Sequence, residues 1–102
     1  MIKQFHTYVR YENSKVGVMV ARALDDKTFG INVSLVHPDL DTFDKNMSII
    51  LAVGKLVNFH PLPRICINPN NTKRARAIHF QFHKFVQRAY KVFKDKEYKY
   101  CV

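Results

Sequence analysis

The stretch that decides the fold is the alternating segment from residue 29 to residue 35. It reads Phe29-Gly30-Ile31-Asn32-Val33-Ser34-Leu35. Every odd-numbered position is large and apolar, and every even-numbered position is small or polar. This two-residue period is typical of a β-strand that buries one face. We therefore predict a half-buried antiparallel strand over residues 29–36.

Two further strands precede this segment. Residues 2–11 are rich in aromatic and β-branched side chains, and a valine alternation runs through residues 16–24. The short segments between the strands, residues 12–15 and 25–28, have the Asp, Asn and Ser composition of turns. The sequence thus predicts a three-stranded antiparallel meander over residues 2–36.

A helix is predicted over residues 42–57, after the strand-breaking His37-Pro38-Asp39, with Asp41 or Thr42 as its N-cap. Two apolar stripes run along opposite sides of this helix. The first stripe holds Phe43, Met47, Ile50, Leu51, Gly54 and Val57, and the second holds Ile49, Val53 and Leu56. A helix that is apolar on two sides is either sandwiched inside the fold or used at an interface. We assign the second stripe, Ile49, Val53 and Leu56, as the candidate protein interface.

A connector with three prolines separates this helix from the last one. Within the connector, residues 64–67 have the composition of a short edge strand. The last helix is predicted over residues 72–95, capped by Asn71 or Thr72, and the tail either extends it or forms a flexible arm. Its core face holds Ala75, Ile78, Phe82, Phe85, Val86, Ala89, Val92 and Phe93. We predict one α+β domain over residues 1–102, a three- or four-stranded antiparallel meander packed against two helices.

Length, composition and charge exclude several classes of protein. The chain has 102 residues, 47% of them apolar, and a formal net charge of +9. It is too short for two ordinary domains and too apolar for a disordered chain. It has no apolar run of membrane-spanning length and no signal-peptide pattern at its start, so we expect a cytoplasmic protein. Cys66 and Cys101 are expected to be reduced thiols.

The positive charge is concentrated in the last third of the chain. Residues 71–102 hold nine Lys and Arg against two Asp and Glu, a net charge of +7, whereas the other 70 residues carry +2. On the predicted last helix, the cations gather opposite the core face around one phenylalanine. The candidate nucleic-acid-binding residues are Lys73, Arg76, Phe80, His83, Lys84, Arg88, Lys91 and Lys94. An exposed aromatic ring among cations suits stacking on an unpaired base. The alternative is a solvated basic helix with Phe80 tucked under a loop.

The sequence carries no pattern of an enzyme site. Its three glycines stand alone, so no phosphate-binding loop is present, and its acids occupy turns and a helix start. His79 and His83 have the spacing of helical metal ligands but no evident third ligand. A ribonuclease site at His37 or His60 has no supporting spacing. We expect a non-enzymatic protein with no catalytic residue, metal or cofactor.

Residues 30–55 resemble a pattern found in small, mostly uncharacterised early proteins of tailed bacteriophages. The resemblance rests on Gly30-Ile-Asn-Val-Ser34, on Pro38-Asp39, on Phe43-Asp-Lys45 and on Ile50-Leu-Ala52-Val-Gly54-Lys55. The chain departs from the pattern at Ser48, where the pattern has Gly, and at Lys55, where it has Arg. The resemblance implies a protein that acts in the host cytoplasm on a host factor, for example as an inhibitor of host defence.

Two hypotheses about function follow. The first is a basic phage-type protein that binds RNA or single-stranded nucleic acid through its C-terminal helix and modulates a host factor or defence system. The alternative is a protein-binding inhibitor of a host enzyme that uses the apolar helix 43–57 without touching nucleic acid. The partner would then be a host protein or ribonucleoprotein, and the same helix also admits a homodimer. No membrane partner is expected.

Overall fold

A computed structural model of the chain describes residues 3–36, 43–94 and 99–100. The strands are β1 (Gln4–Tyr11), β2 (Ser14–Ala23), β3 (Thr28–Leu35) and β4 (Lys99–Tyr100). The helices are α1 (Lys45–Val57), α2 (Arg64–Ile67) and α3 (Lys73–Lys94). Strands β1, β2 and β3 form an antiparallel meander, and β4 pairs in parallel with β3, so the sheet order is β1-β2-β3-β4. The predicted α+β class is confirmed.

Two tight turns connect the strands of the meander. Glu12 and Asn13 have positive φ values of 50° and 64°, the conformation that suits a two-residue hairpin between twisted strands. In the second turn, a carboxylate oxygen of Asp25 accepts hydrogen bonds from the backbone N–H groups of Lys27 and Thr28, both at 2.7 Å. These two bonds stabilise the ionised form and hold the pKa of Asp25 below its ordinary value.

The sheet lies between the two long helices. Met19 and Ala21 of β2 belong to the core on the α3 side, whereas Val18 and Val20 belong to the core on the α1 side. This division follows from the two-residue period of a strand. On α3 the buried residues are Ala75, Ile78, Phe82, Phe85, Ala89 and Phe93, with Val86 and Val92 partly buried. The predicted core face of the last helix is therefore confirmed.

Strand β3 is buried on both faces, which corrects the prediction of a half-buried strand. Asn32 and Ser34 keep only 2% and 4% of their surface exposed, because α1 covers the face that carries the small and polar residues. The side chain of Leu56 packs so near Gly30 that a Cβ there would lie 3.3 Å from it. Asn32 remains hydrogen-bonded in this position, since its Nδ2 donates to the carbonyl of His60 at 2.9 Å.

Residues 64–67 form the one-turn helix α2, so the predicted edge strand is wrong. The turn begins after Pro63, and Asn68 N–H donates to the carbonyl of Arg64 at 2.8 Å. Helical geometry buries Cys66 in the core beneath α3. The β-branched composition of the segment is overridden here by packing.

Helix α1 begins later than predicted, at Lys45, and ends at the predicted residue, Val57. Asp44 is its N-cap, because its carboxylate accepts from Met47 N–H at 2.9 Å, and the predicted caps Asp41 and Thr42 lie outside the described residues. At the C-terminus of α1, the backbone N–H of Phe59 donates to the carbonyl of Leu56, and the N–H of His60 donates to the carbonyl of Lys55. This pair of bonds is the Schellman motif, in which the residue at the position of Phe59 adopts a left-handed conformation.

The C-terminal segment contributes a strand to the sheet. Tyr100 of β4 lies beside Phe29 of β3, and the ring of Phe29 stacks on Phe93 with centroids 4.5 Å apart and on Tyr100 at 5.2 Å. Residues 99–100 therefore neither extend the helix nor form the flexible arm that was predicted. At the other end of α3 the predicted cap is confirmed, since Thr72 Oγ1 accepts from Ala75 N–H at 3.2 Å.

Candidate nucleic-acid interface

The exposed side of α3 carries the predicted nucleic-acid-binding residues. All seven whose side chains are described are exposed, and they are Lys73, Arg76, Phe80, His83, Lys84, Arg88 and Lys91. The side chain of Lys94 lies outside the described part of the chain. Phe80 is 60% exposed, so it is not tucked under a loop. Since the 22 residues of α3 include no Asp or Glu, the cations on this side have no acidic neighbour on their own helix.

A groove runs where α3 meets strand β1, which lies at one edge of the sheet. It has a volume of about 210 Å³. Its walls are formed by Thr7, Tyr8, Gln81, Lys84, Phe85 and Arg88. The helix supplies two cations to this groove, and the strand supplies Thr7 and Tyr8, of which Tyr8 packs its ring on the opposite face of the sheet. The groove is therefore positively charged on one side and polar on the other.

The β1–β2 hairpin brings two more cations to the same sheet edge, on the face of β1 that lies toward α1. Arg10 pairs with Lys15 across the two strands. Both lie against the ring of Tyr8, with Arg10 Cζ 5.7 Å and Lys15 Nζ 4.2 Å from its centroid. Cations at such distances are attracted to the face of an aromatic ring. Since β1 is the edge strand, the cationic surface continues from α3 on one face of the sheet, around this edge, to the hairpin cations on the other face.

Gln81 fixes the position of the hairpin relative to α3. Its Oε1 accepts from the backbone N–H of Arg10 at 2.9 Å, and its Nε2 donates to the carbonyl of Arg10 at 2.6 Å. The register of β1 shifts between Val9 and Arg10, and an irregularity of this kind leaves backbone groups outside the regular ladder. The side chain of one helix residue thus completes the hydrogen bonding of the strand at this point.

Two of the α3 cations are held over aromatic rings. Lys84 Nζ lies 4.9 Å from the centroid of Phe80, and Arg88 Cζ lies 5.3 Å from that of Phe5. These contacts restrict both long side chains before any ligand arrives, which lowers the entropy lost on binding. Because Phe80 is exposed, its ring remains accessible beside Lys84 for a stacking contact.

Sequence reasoning missed the hairpin half of this surface. Tyr8, Arg10, Lys15 and Gln81 were not among the candidate residues. The available signal was the turn, because a two-residue turn at Glu12 and Asn13 places Arg10 directly across from Lys15. Treating residues 12–15 as a four-residue turn removed that pairing.

The two histidines of α3 have separate surroundings although their rings touch. Their centroids are 4.3 Å apart. His79 Nδ1 lies 2.6 Å from the carbonyl oxygen of Cys66, a hydrogen bond that fastens α3 to α2, whereas His83 is exposed. Among the described residues, no group of three or more His, Cys, Asp or Glu side chains is arranged to hold a metal ion.

The candidate protein interface on α1 is on the wrong side of the helix. Leu56 is buried against the sheet. Ile49 and Val53 are partly buried against the core on the α1 side of the sheet. The stripe that points away from the sheet is the other one, with Met47, Ile50, Leu51 and Val57 between 44% and 64% exposed. The small side chains Ser48 and Ala52 are what allow α1 to lie flat on the sheet.

The fold and the cationic surface on α3 and the β1–β2 hairpin define a small α+β protein whose cations gather at one sheet edge. Comparison with known proteins found no family model, no curated protein and no solved structure that matches the chain. Within residues 3–36, 43–94 and 99–100, no helix combines the length and apolarity needed to cross a bilayer.

Proposed function

We propose that this chain is a non-enzymatic phage-type protein that binds RNA or single-stranded nucleic acid along α3 and the β1–β2 hairpin, and so modulates a host factor or defence system. One observation carries the proposal. Lys84 and Arg88 of α3 line a groove together with Tyr8, the residue on which Arg10 and Lys15 converge. Because the ring of Tyr8 packs on the α1 face of the sheet, four cations from two elements of the fold lie on the two faces of one sheet edge. Such an extended arrangement fits a phosphate backbone better than it fits an isolated anion.

An unpaired strand fits this surface better than a duplex. Phe80 is an exposed ring among cations, and a ring of this kind can stack only on a base that is free of its own helix. Backbone charge should dominate the affinity, so sequence preference should be low. For single strands, the slope of log K against log salt is about −0.7 per neutralised phosphate, so the four cations should give a slope of about −3.

The test is a charge reversal with a matched control. The variant Lys84→Glu/Arg88→Glu/Lys91→Glu changes the proposed surface. The control Lys27→Glu/Lys45→Glu/Arg64→Glu changes three exposed cations elsewhere, and both variants lower the formal net charge from +9 to +3. Binding of a labelled single-stranded RNA, followed by fluorescence anisotropy, should be lost in the first variant and kept in the control. Equal binding by the two variants would overturn the proposal.

Protein binding through α1 is a second candidate function, favoured by the exposure of Met47, Ile50 and Leu51. This surface is uncharged and differs from the one on α3. Capture from host lysate with and without nuclease separates the two functions. Nuclease-sensitive capture supports nucleic-acid binding, whereas nuclease-resistant capture of one protein that is lost in Ile50→Glu supports the second function.

A further inference from the structure

The exposed face of α1 is apolar along its length and carries no charge. Met47, Ile50, Leu51 and Val57 are each about half exposed, and Gly54 lies between them on the helical wheel. The nearest cation on the helix, Lys55, is turned away from this face, because its Nζ donates to the carbonyl of Val33 in the sheet at 3.3 Å. Contiguous apolar surface of this kind on a small protein marks an interaction site.

Gly54 is unexplained by the packing of its own chain. A Cβ at this position would meet no atom within 4 Å. In an exposed helix interior, glycine is less stable than alanine by about 1 kcal/mol. A glycine in the middle of an apolar helix face is useful when the backbone of another helix must approach closely, as small residues allow at helix crossings. The glycine and the apolar stripe therefore indicate the same kind of occupant, a helix.

The charge distribution indicates that the partner helix is α1 of a second copy of the chain. The chain carries +9, and α1 lies on the opposite face of the sheet from α3. A second copy of the chain offers the same uncharged stripe. Contact through α1 would leave the α3 cations of both copies on the outside, separated by two sheets, where their mutual repulsion is weakest. Contact through any surface that includes α3 would bring like charges together.

We propose that two copies of this protein form a symmetric dimer through α1, with the two helices antiparallel and crossing at Gly54. A twofold axis at Gly54 sets Leu51 of each copy against Val57 of the other, so the stripe is complementary to itself. This inference does not depend on nucleic-acid binding. The helix is about 20 Å long, so the interface falls at the lower end of the range for specific complexes and the dimer should dissociate in the micromolar range.

Sedimentation velocity over about 1 to 500 µM tests the assembly. The wild-type protein should shift from monomer to dimer across this range. Leu51→Glu should remain monomeric, whereas Ile67→Glu, a matched substitution of an exposed apolar residue on α2, should dimerise like the wild type. A wild-type protein that stays monomeric, or a Leu51→Glu variant that still dimerises, would overturn the proposal. A wild-type protein that stays monomeric would mean that the apolar stripe of α1 binds a different protein.

Cross-linking tests the geometry, and circular dichroism establishes that each variant is folded. In a Cys101→Ser background, Gly54→Cys should form an intermolecular disulfide on mild oxidation, because the Cβ atoms at a crossing lie within the roughly 4 Å that a disulfide requires. Asn46→Cys is the control, since it lies about 12 Å along the helix from the crossing. Cross-linking of Asn46→Cys that equals or exceeds that of Gly54→Cys would contradict a crossing at Gly54.

Discussion

The carboxamide of Gln81 holds both backbone groups of Arg10, accepting from its N–H at 2.9 Å and donating to its carbonyl at 2.6 Å. The two residues are 71 positions apart in the sequence. This contact sets the β1–β2 hairpin against α3, and it does so at the point where the register of β1 shifts. The cations of the hairpin and those of the helix therefore keep a fixed spacing around the sheet edge.

Replacing Gln81 by methionine should loosen the hairpin from the helix. Gln81→Met keeps the length of the side chain but removes both hydrogen bonds, and the released groups of Arg10 are exposed enough to bind water. We expect a loss of about 1 kcal/mol in the free energy of unfolding by urea, with faster hydrogen exchange at the Arg10 amide.

The control for this prediction is Gln87→Met, an exposed glutamine six residues further along α3. It changes the composition of the helix in the same way without touching the hairpin. Equal losses of stability in the two variants would mean that the contact with Arg10 contributes nothing beyond helix propensity.

The pairing of Arg10 with Lys15 predicts a contribution of the hairpin to nucleic-acid affinity. Arg10→Ala/Lys15→Ala should weaken binding of single-stranded RNA by roughly tenfold. It should also reduce the steepness of the salt dependence by about 1.4, the value for two lost phosphate contacts. Titrations at several salt concentrations provide both quantities.

Lys27→Ala/Arg64→Ala removes two exposed cations from other surfaces and serves as the comparison. If the hairpin variant loses affinity while its salt dependence stays as steep as in the wild type, then Arg10 and Lys15 do not contact phosphate.

The sequence was sufficient to predict the three meander strands and the two long helices, but not which side of α1 packs on the sheet. The alternation around Ile31 and the wheel around Ile78 identify a strand and a core face, because both periods are carried by large apolar residues. On α1 both sides are apolar, and the side that packs on the sheet is decided by Ser48 and Ala52, which leave room. The hydrophobicity of the two sides does not show which one packs on the sheet, because close packing there requires small side chains rather than the most apolar ones.

The hairpin part of the cationic surface could not be predicted for a different reason. Arg10 and Lys15 become neighbours only through the register of the hairpin, and Gln81 joins them only through the tertiary placement of α3. Neither relationship leaves a periodic signal in the sequence. The helix cations were predictable because a helical wheel alone brings them together.

Phe59 should limit stability at the end of α1. It has a φ of 57°, its side chain is 71% exposed, and glycine is the residue that normally adopts this conformation in a Schellman motif. Phe59→Gly should stabilise the protein by about 1 kcal/mol, which corresponds to a rise in Tm of roughly 4 to 8 °C, because it relieves the steric cost of a Cβ in the left-handed region. Phe59→Ala keeps that Cβ and should bring no such gain. A similar Tm for the two variants would show that the ring, and not the backbone, determines the stability at this position.

Cys66 should make the protein sensitive to alkaline pH. Burial raises the pKa of the Cys66 thiol to about 12, with the charge of Lys55 acting weakly in the opposite direction. Below pH 9, the ordinary value for a thiol, folded and unfolded chains are both protonated and this group adds no pH dependence. Above pH 9 the unfolded chain loses the proton while the folded chain retains it, so stability falls by up to about 1.4 kcal/mol per pH unit until the folded thiol ionises.

Cys66→Ala isolates this effect from the other groups that titrate at high pH. At pH 7 the variant should be less stable than the wild type by about 1 kcal/mol, because a packed sulfur is lost. The difference in unfolding free energy between the variant and the wild type should become smaller above pH 9 and change sign by about pH 11. The reason is that the variant has no thiol at this position to ionise on unfolding. Urea midpoints measured at intervals between these pH values provide the comparison. Parallel curves for the two proteins would mean that the thiol ionises as readily in the folded chain as in the unfolded one.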